Sequence, residues 1–341
     1  MNPKASIQTL TPYRPKVSNA HIKLDANEAT FNVLEDITGN LPNNLERYPD
    51  SYSTALRKKA ARFYGVKSEQ IIAGNGSSEM IELTLKTFIT PGDKVSGIDP
   101  SFQMYNVFST IYGADYEPFP LNENFDLDEE KFIKYLKTNT PKVVFLCTPN
   151  NPTGKVLTKQ TMENILKTTD ALVIVDEAYI EFYDETESMS ALINQYDHLI
   201  VLRTLSKALG LAGMRLGFLI ANESLVYTLN KVKAPYNLNV ITQQIGINAL
   251  EKIEEARPHL EKTKTLREAL YKSLKQLDLE VLESKANFIF FKSSVPNLAD
   301  LLEEKSVLIR AFKGELEGYY RVTVGSKKET MIFLETLKEV L

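Results

Sequence analysis

The chain has 341 residues, 43% hydrophobic and 25% charged, with a formal net charge of -4. That is the make-up of an ordinary soluble globular protein with room for two or three domains, and it lacks the basic excess of a nucleic-acid footprint. One cysteine (Cys147) excludes an intrachain disulfide, and three scattered histidines (His21, His198 and His259) show no metal-ligand spacing. With no apolar run near the roughly 20 residues of a membrane helix and no signal-peptide core at the N-terminus, neither a helical membrane span nor export is expected. The expected compartment is the cytoplasm.

In chain order, Thr54 to Tyr64 reads as an amphipathic helix ending near Gly65. Gly74-Asn-Gly-Ser-Ser-Glu79 opens a second, with Met80, Ile81, Leu83, Leu85 and Phe88 as its apolar positions. Three apolar bursts follow: Val143 to Cys147, Leu172 to Val175 and Leu199 to Leu202. None alternates with polar residues, as expected for strands buried on both faces of a parallel sheet. The stretch around Met162 to Lys167, between the first two, is helix-forming. Alternating strand and helix predicts an α/β fold with a mostly parallel sheet flanked by helices. From Ile241 to Leu277 the composition is helical, interrupted only by Pro258. A strand over Asn287 to Lys292, a helix over Leu298 to Lys305 and a strand over Tyr319 to Val324 then predict a smaller α+β domain. The expected division is a large domain over 30–240, with 1–29 and 241–341 forming an N-terminal arm and the small domain.

Each apolar burst runs directly into a polar cluster, and in parallel sheets ligands bind beyond the carboxyl ends of strands. Three distant clusters are therefore expected in one pocket. Lys207 lies in Thr204-Leu-Ser-Lys-Ala-Leu-Gly-Leu-Ala-Gly-Met-Arg215. A lysine amine forms Schiff bases, and hydroxyls with a nearby arginine grip phosphate. GNGSSE at 74–79 is an N-cap loop or an anion site at a helix start. It is neither a dinucleotide fingerprint, since Glu79 replaces the third glycine, nor a P-loop. Asp176, directly after a buried strand, is either a helix cap or the partner of a pyridinium nitrogen. Asn150 to Gly154 is turn-forming, with an asparagine amide to spare. Phe102 and Tyr105 could offer an aromatic face or simply pack in the core. Arg310 and Arg321 are candidate anion clamps.

The set resembles the fold-type I pyridoxal-phosphate enzymes. ERYPD, GNGSSE, TPNNPTG, VDEAYIEF, RTLSKALGLAGMRLGF and RVTVG, in that order over most of the chain, resemble the histidinol-phosphate aminotransferase family in particular. The resemblance implies pyridoxal 5'-phosphate as cofactor, and transamination between L-histidinol phosphate and 2-oxoglutarate, giving imidazole-acetol phosphate and L-glutamate. It implies that Lys207 holds the cofactor and shuttles a proton, that Asp176 pairs with the ring nitrogen, and that Tyr179 and Asn151 contact the ring oxygen. Ser77, Ser78, Thr204, Ser206 and Arg215 would hold the phosphate, joined by Tyr48 from the other subunit of a homodimer. Tyr105 would stack on the ring. Arg321 and Arg310, with Tyr13 and Asn27, would receive the anionic end of the substrate.

Two segments depart from the family pattern: Asn27-Glu-Ala-Thr-Phe31, in place of Asn-Glu-Asn-Pro, and Pro235-Tyr-Asn-Leu-Asn239. Both are expected to border the substrate. They keep an aromatic-amino-acid aminotransferase or a threonine-phosphate decarboxylase of the same fold in view.

Overall fold

The computed structural model describes residues 4–8, 10–11, 16, 18–34, 42 and 45–341. The helices described are α1 (Ala5–Gln8), α2 (Thr54–Tyr64), α3 (Gly76–Phe88), α4 (Met104–Ile111), α5 (Glu129–Asn139), α6 (Lys159–Leu166), α7 (Glu223–Asn230), α8 (Val240–Glu251), α9 (Ile253–Lys275), α10 (Leu298–Glu304) and α11 (Lys327–Val340). The strands of the large sheet are β2 (Ile71–Asn75), β3 (Lys94–Asp99), β4 (Asp115–Tyr116), β5 (Phe119–Pro120), β6 (Val143–Cys147), β7 (Leu172–Asp176), β8 (Leu199–Thr204) and β9 (Leu216–Ala221). Elsewhere lie β1 (Ile22–Lys23), β10 (Glu280–Val281), β11 (Phe288–Lys292), β12 (Val307–Leu308), β13 (Arg310–Ala311) and β14 (Tyr319–Thr323).

The large sheet has the order β2-β9-β8-β7-β6-β3-β4, with β5 also beside β3, and only β9 runs against its neighbours. The three apolar bursts are its adjacent central strands β6, β7 and β8. Their lack of alternation follows from helices on both faces. Val144, Leu146, Val173, Val175 and Val201 join one core; Val143, Phe145, Cys147, Leu172, Ile174, Ile200 and Leu202 join the other. With both faces dry, every position along these strands is selected for apolar bulk.

The antiparallel sheet β10-β11-β14-β13 carries its own core against α9, α10 and α11, and β1 from the N-terminal segment pairs with β12. Two details differ from the sequence reading of 241–277. The helical break falls at Lys252, between α8 and α9, and Pro258 lies inside α9. Pro258 is close to the helix start, so the chain forgoes a single early hydrogen bond there. Helix α8 packs on α2, and its Ile245 and Ala249 enter the first large core. A fourth, small cluster of Ala178, Tyr179, Phe182, Ala208, Leu260, Ala286 and Phe288 joins the two sheets' surroundings just beside Lys207.

Candidate active site

β2, β3, β6, β7 and β8 are mutually parallel, so their carboxyl ends, at Asn75, Asp99, Cys147, Asp176 and Thr204, lie along one edge of the sheet. There the clusters separated in sequence come together. Asp176 stands opposite Cys147 in the β6–β7 register, and Thr204 opposite Gly217 in β8–β9, with Gly74 of β2 on Gly217's other side.

Helix α3 begins at Gly76, so the first-turn N–H groups of Gly76, Ser77 and Ser78 have no partner within the helix and point out of its start. Gly217 lets β9 approach that start: a Cβ there would lie 2.5 Å from the Gly76 carbonyl carbon and the Ser77 nitrogen. Gly76 has φ +75°, and a Cβ on it would lie 2.6 Å from Arg215 Nη2. Ser206 N–H donates to Thr204 Oγ1 at 3.2 Å, and the Thr204 hydroxyl donates to Ser206 Oγ at 2.9 Å. Hydroxyls, free N–H groups and an exposed guanidinium thus line one small cradle, the donor set of a phosphate site. Behind it, Glu79 accepts from the Asn75 N–H, and from the Asn75 and Asn237 amides at 2.8 and 3.0 Å. Glu79 fastens the loop instead of making a third glycine turn. Asn237 also donates to the Ala73 carbonyl at 3.0 Å, so the atypical run 235–239 buttresses the cradle from behind.

Asp176 is 3% exposed. Burial raises its proton affinity, opposed by the Tyr105 hydroxyl, which donates to Oδ2 at 2.9 Å, and by the Ala178 N–H, which donates to Oδ1 at 3.1 Å. No cation among the described residues pairs with it. The neighbouring Glu177 is structural: it accepts from Ser188 Oγ at 2.6 Å and the Met189 N–H at 2.7 Å, and it pairs with Arg203.

The expectation for Tyr105 is corrected. Tyr105 is wholly buried, and its ring stacks on Phe145 with centroids 4.4 Å apart at 5°. It lies beneath Asp176, with no face open to a ligand. The half-buried Phe102, whose ring meets Tyr105 edge-on at 5.5 Å, is the aromatic at the open side. A signal for this was present: Tyr105 and Ser109 lie one helical turn apart, the spacing of a buried face on α4.

Lys207 Nζ donates to the Ala26 carbonyl at 2.9 Å and lies 5.8 Å from the centre of the Tyr179 ring. Burial, then the nearby Arg321 and Arg215 guanidinium groups, hold its amine down to about 8, with Glu28 opposing. Arg321 Nη2 donates to the adjacent carbonyl, Asp25 O, at 2.7 Å. Sequence reasoning missed this strap: two consecutive backbone carbonyls hold the two cations. Asn27, at φ 53°, follows at once, and its amide donates to the Tyr179 hydroxyl at 3.1 Å. Burial pushes that phenol up to about 12. Thr323 Oγ1 and the Asn287 amide pin Asn27 from the small sheet. Further along, the Phe31 ring stacks on His259 at 4.0 Å, and its carbonyl packs on Gly210.

Arg321 Nη1 also donates to Asn151 Oδ1, which turns the donor end of that amide the other way. Arg310 is directly opposite Arg321 in the β13–β14 register, so both side chains leave the same face of the small sheet. Like charges so placed repel unless an anion lies between them. Arg310 also borders a cleft of about 1230 Å³ whose walls include Phe102 and Pro152. Tyr48 is 82% exposed and stacks on Tyr236 of its own chain, so it is not brought to this site within one chain. Tyr13 lies outside the described residues.

The family model for aminotransferases of class I and II matches residues 20–337. Histidinol-phosphate aminotransferase of Thermoanaerobacter pseudethanolicus is 41% identical over 330 residues, covering 94% of this chain and 93% of its own. The enzyme of the same name from Clostridium novyi is 35% identical, covering 98% and 96%. The crystal structure of histidinol-phosphate aminotransferase from Sinorhizobium meliloti, in complex with pyridoxal 5'-phosphate, has the same fold, with a TM-score of 0.90 at 21% identity over 99% of this chain and 96% of that one. The chain belongs to the class I and II aminotransferases and, among them, to the histidinol-phosphate aminotransferases.

Proposed function

We propose that this protein is a pyridoxal 5'-phosphate-dependent aminotransferase of histidine biosynthesis. It transfers the amino group of L-histidinol phosphate to 2-oxoglutarate, giving imidazole-acetol phosphate and L-glutamate. The observation that carries the reading is the meeting, at one sheet edge, of a lysine with lowered proton affinity, a buried aspartate without a cation and a phosphate cradle. The residues fit the cofactor: the cradle has no room for a side chain at Gly217, and the buried Asp176 carboxylate is placed to accept from a ring N–H. When bound, pyridoxal phosphate supplies an aldehyde for a lysine and a protonated ring that accepts electrons.

The chain's own residues then have distinct tasks. Ser77, Ser78, Thr204, Ser206 and Arg215 hold the phosphate. Asp176 accepts the ring N–H, Tyr179 and Asn151 hold the ring oxygen, and Phe102 covers a ring face. Lys207, whose amine is neutral at mildly alkaline pH, accepts a proton from the substrate carbon and returns it. Arg321 and Arg310 hold the far anion, the phosphate of histidinol phosphate or a carboxylate of glutamate, with Asn27 close by. Because the two substrates use the clamp in turn, one pair of guanidinium groups serves both.

The same reading makes the enzyme a cytoplasmic homodimer in which the partner's Tyr48 completes the phosphate site. The exposure of Tyr48 and Tyr236 supports it. We place the boundary of the large domain after α8, whose apolar residues pack there.

A panel of amino donors and acceptors tests the function, with histidinol phosphate expected to be preferred. An aromatic amino acid leaves the second guanidinium without a charge to pair. Phenylalanine reacting as efficiently would replace this reading with an aromatic-amino-acid aminotransferase, and release of carbon dioxide from threonine phosphate would replace it with a decarboxylase.

A further inference from the structure

We infer that Tyr105 is a positioning residue that acts on the cofactor ring through Asp176, holding the acid in its ionised form while it props Phe102 from behind. The inference rests on the pyridoxal-phosphate reading of the site. Tyr105 lies one residue into α4, on the face turned to the sheet, and is 0% exposed. Its ring is held on two sides: stacked on Phe145 of β6 at 4.4 Å, and edge-on to Phe102 at 5.5 Å. So held, the hydroxyl donates to Asp176 Oδ2 at 2.9 Å, with the Cys147 thiol also beside it.

That hydrogen bond works against burial in favour of the ionised acid. Burial favours the neutral carboxyl, and the protein offers two donors against it, Tyr105 Oη and Ala178 N. A backbone N–H cannot be removed by a side-chain change, so Tyr105 is the adjustable one. Burial and the nearby Asp176 also push the phenol well above its ordinary range, so it stays a donor wherever the enzyme works. Cys147, opposite Asp176, does not substitute for it: its thiol is a weak donor aimed at the Pro149 carbonyl, 3.5 Å away. Without the Tyr105 hydroxyl, Oδ2 is a desolvated oxygen lacking its donor, and the carboxyl protonates more readily. A protonated Asp176 cannot hold a proton on the ring nitrogen.

The test compares two ligands of the apo-protein by equilibrium dialysis: pyridoxal phosphate, and its analogue with carbon in place of the ring nitrogen. Tyr105→Phe should weaken pyridoxal phosphate about tenfold and the analogue less than about twofold. In the holoenzyme, kcat should fall about tenfold while KM for glutamate stays within about twofold. In an Asp176→Asn background, Tyr105→Phe should change pyridoxal phosphate affinity by less than about twofold. Equal losses for both ligands, or full additivity with Asp176→Asn, would reduce Tyr105 to packing and overturn the inference. If Tyr105→Phe melts below the assay temperature, Tyr105→His, which retains a ring donor, carries the comparison. It should keep the preference for the nitrogen-bearing ligand, and a folded variant without that preference overturns the inference. A wild-type protein that does not retain pyridoxal phosphate would instead overturn the functional reading on which this one stands.

Discussion

Lys207 is held near 8 instead of the free value of 10.5, by burial first and by Arg321 and Arg215 next. A neutral amine is what captures an aldehyde, so the rate of pyridoxal phosphate uptake by apo-protein should rise with pH to a plateau with a midpoint near 8. A midpoint near 10 in stopped-flow absorbance would show an amine in water. The sign of the linkage yields a second outcome. A lysine whose folded proton affinity is lowered costs the fold stability below that range, where it is charged in both states; the cost fades as pH rises towards the unfolded value. Lys207→Met should therefore raise the melting temperature of the apo-protein at pH 7 while turnover falls by several orders of magnitude. At the other end of the substrate, Arg321→Ala should lower kcat/KM at least tenfold in both half-reactions, since a charge-assisted hydrogen bond contributes about 1.5–3 kcal/mol. Arg310→Ala should fall more heavily on histidinol phosphate, whose dianion uses both guanidinium groups. Equal effects of Arg310→Ala on the two substrates would show that Arg310 does not read the phosphate.

Among the elements, the α3 start and β9 form the tightest joint. Gly217 lies so close to Gly76 and Ser77 that a methyl group would have to displace backbone, at 2.5 Å. Gly217→Ala should push the α3 start away from Thr204 and Arg215. It should weaken cofactor retention at least tenfold and destabilise the protein by about 1–3 kcal/mol, the usual cost of overpacking. Equilibrium dialysis with a thermal melt checks both, and unchanged retention would mean that the cradle tolerates the shift. The elements themselves were largely legible. Helix α2 ends at Tyr64, with Gly65 in the left-handed region, as the glycine after its last apolar position predicts. β6, β7 and β8 lie where continuous apolar runs predict strands dry on both faces. The position of the α8–α9 break was not legible, because the proline signal is local and α9 absorbs it near its start.

At the scale of the whole molecule, the exposed Tyr48–Tyr236 stack poses the question of the second subunit. If the partner's Tyr48 completes each phosphate site, an inactive Tyr48 variant mixed with an inactive Lys207 variant should regain activity. Each mixed dimer then carries one intact site. Recovery would be read as turnover after subunit exchange verified by mass spectrometry, and none would place the whole site within one chain.

The patterns that suggest the site's chemistry were legible in the sequence because they depend on local order. A lysine between hydroxyls and an arginine, an aspartate at the end of a buried run and two glycines before a helix are short-range patterns with a physical meaning of their own. What only the tertiary structure decided was the aim of each side chain. Tyr105 and Phe102 are three residues apart and both aromatic, yet the turn of α4 sends one under Asp176 and leaves the other at the open side. Arg310 and Arg321 become a pair because β13 and β14 place them in register. The strap carbonyls of Asp25 and Ala26 reach Arg321 and Lys207 across most of the chain. A backbone carbonyl is the same at every position, so no sequence pattern could have marked these two.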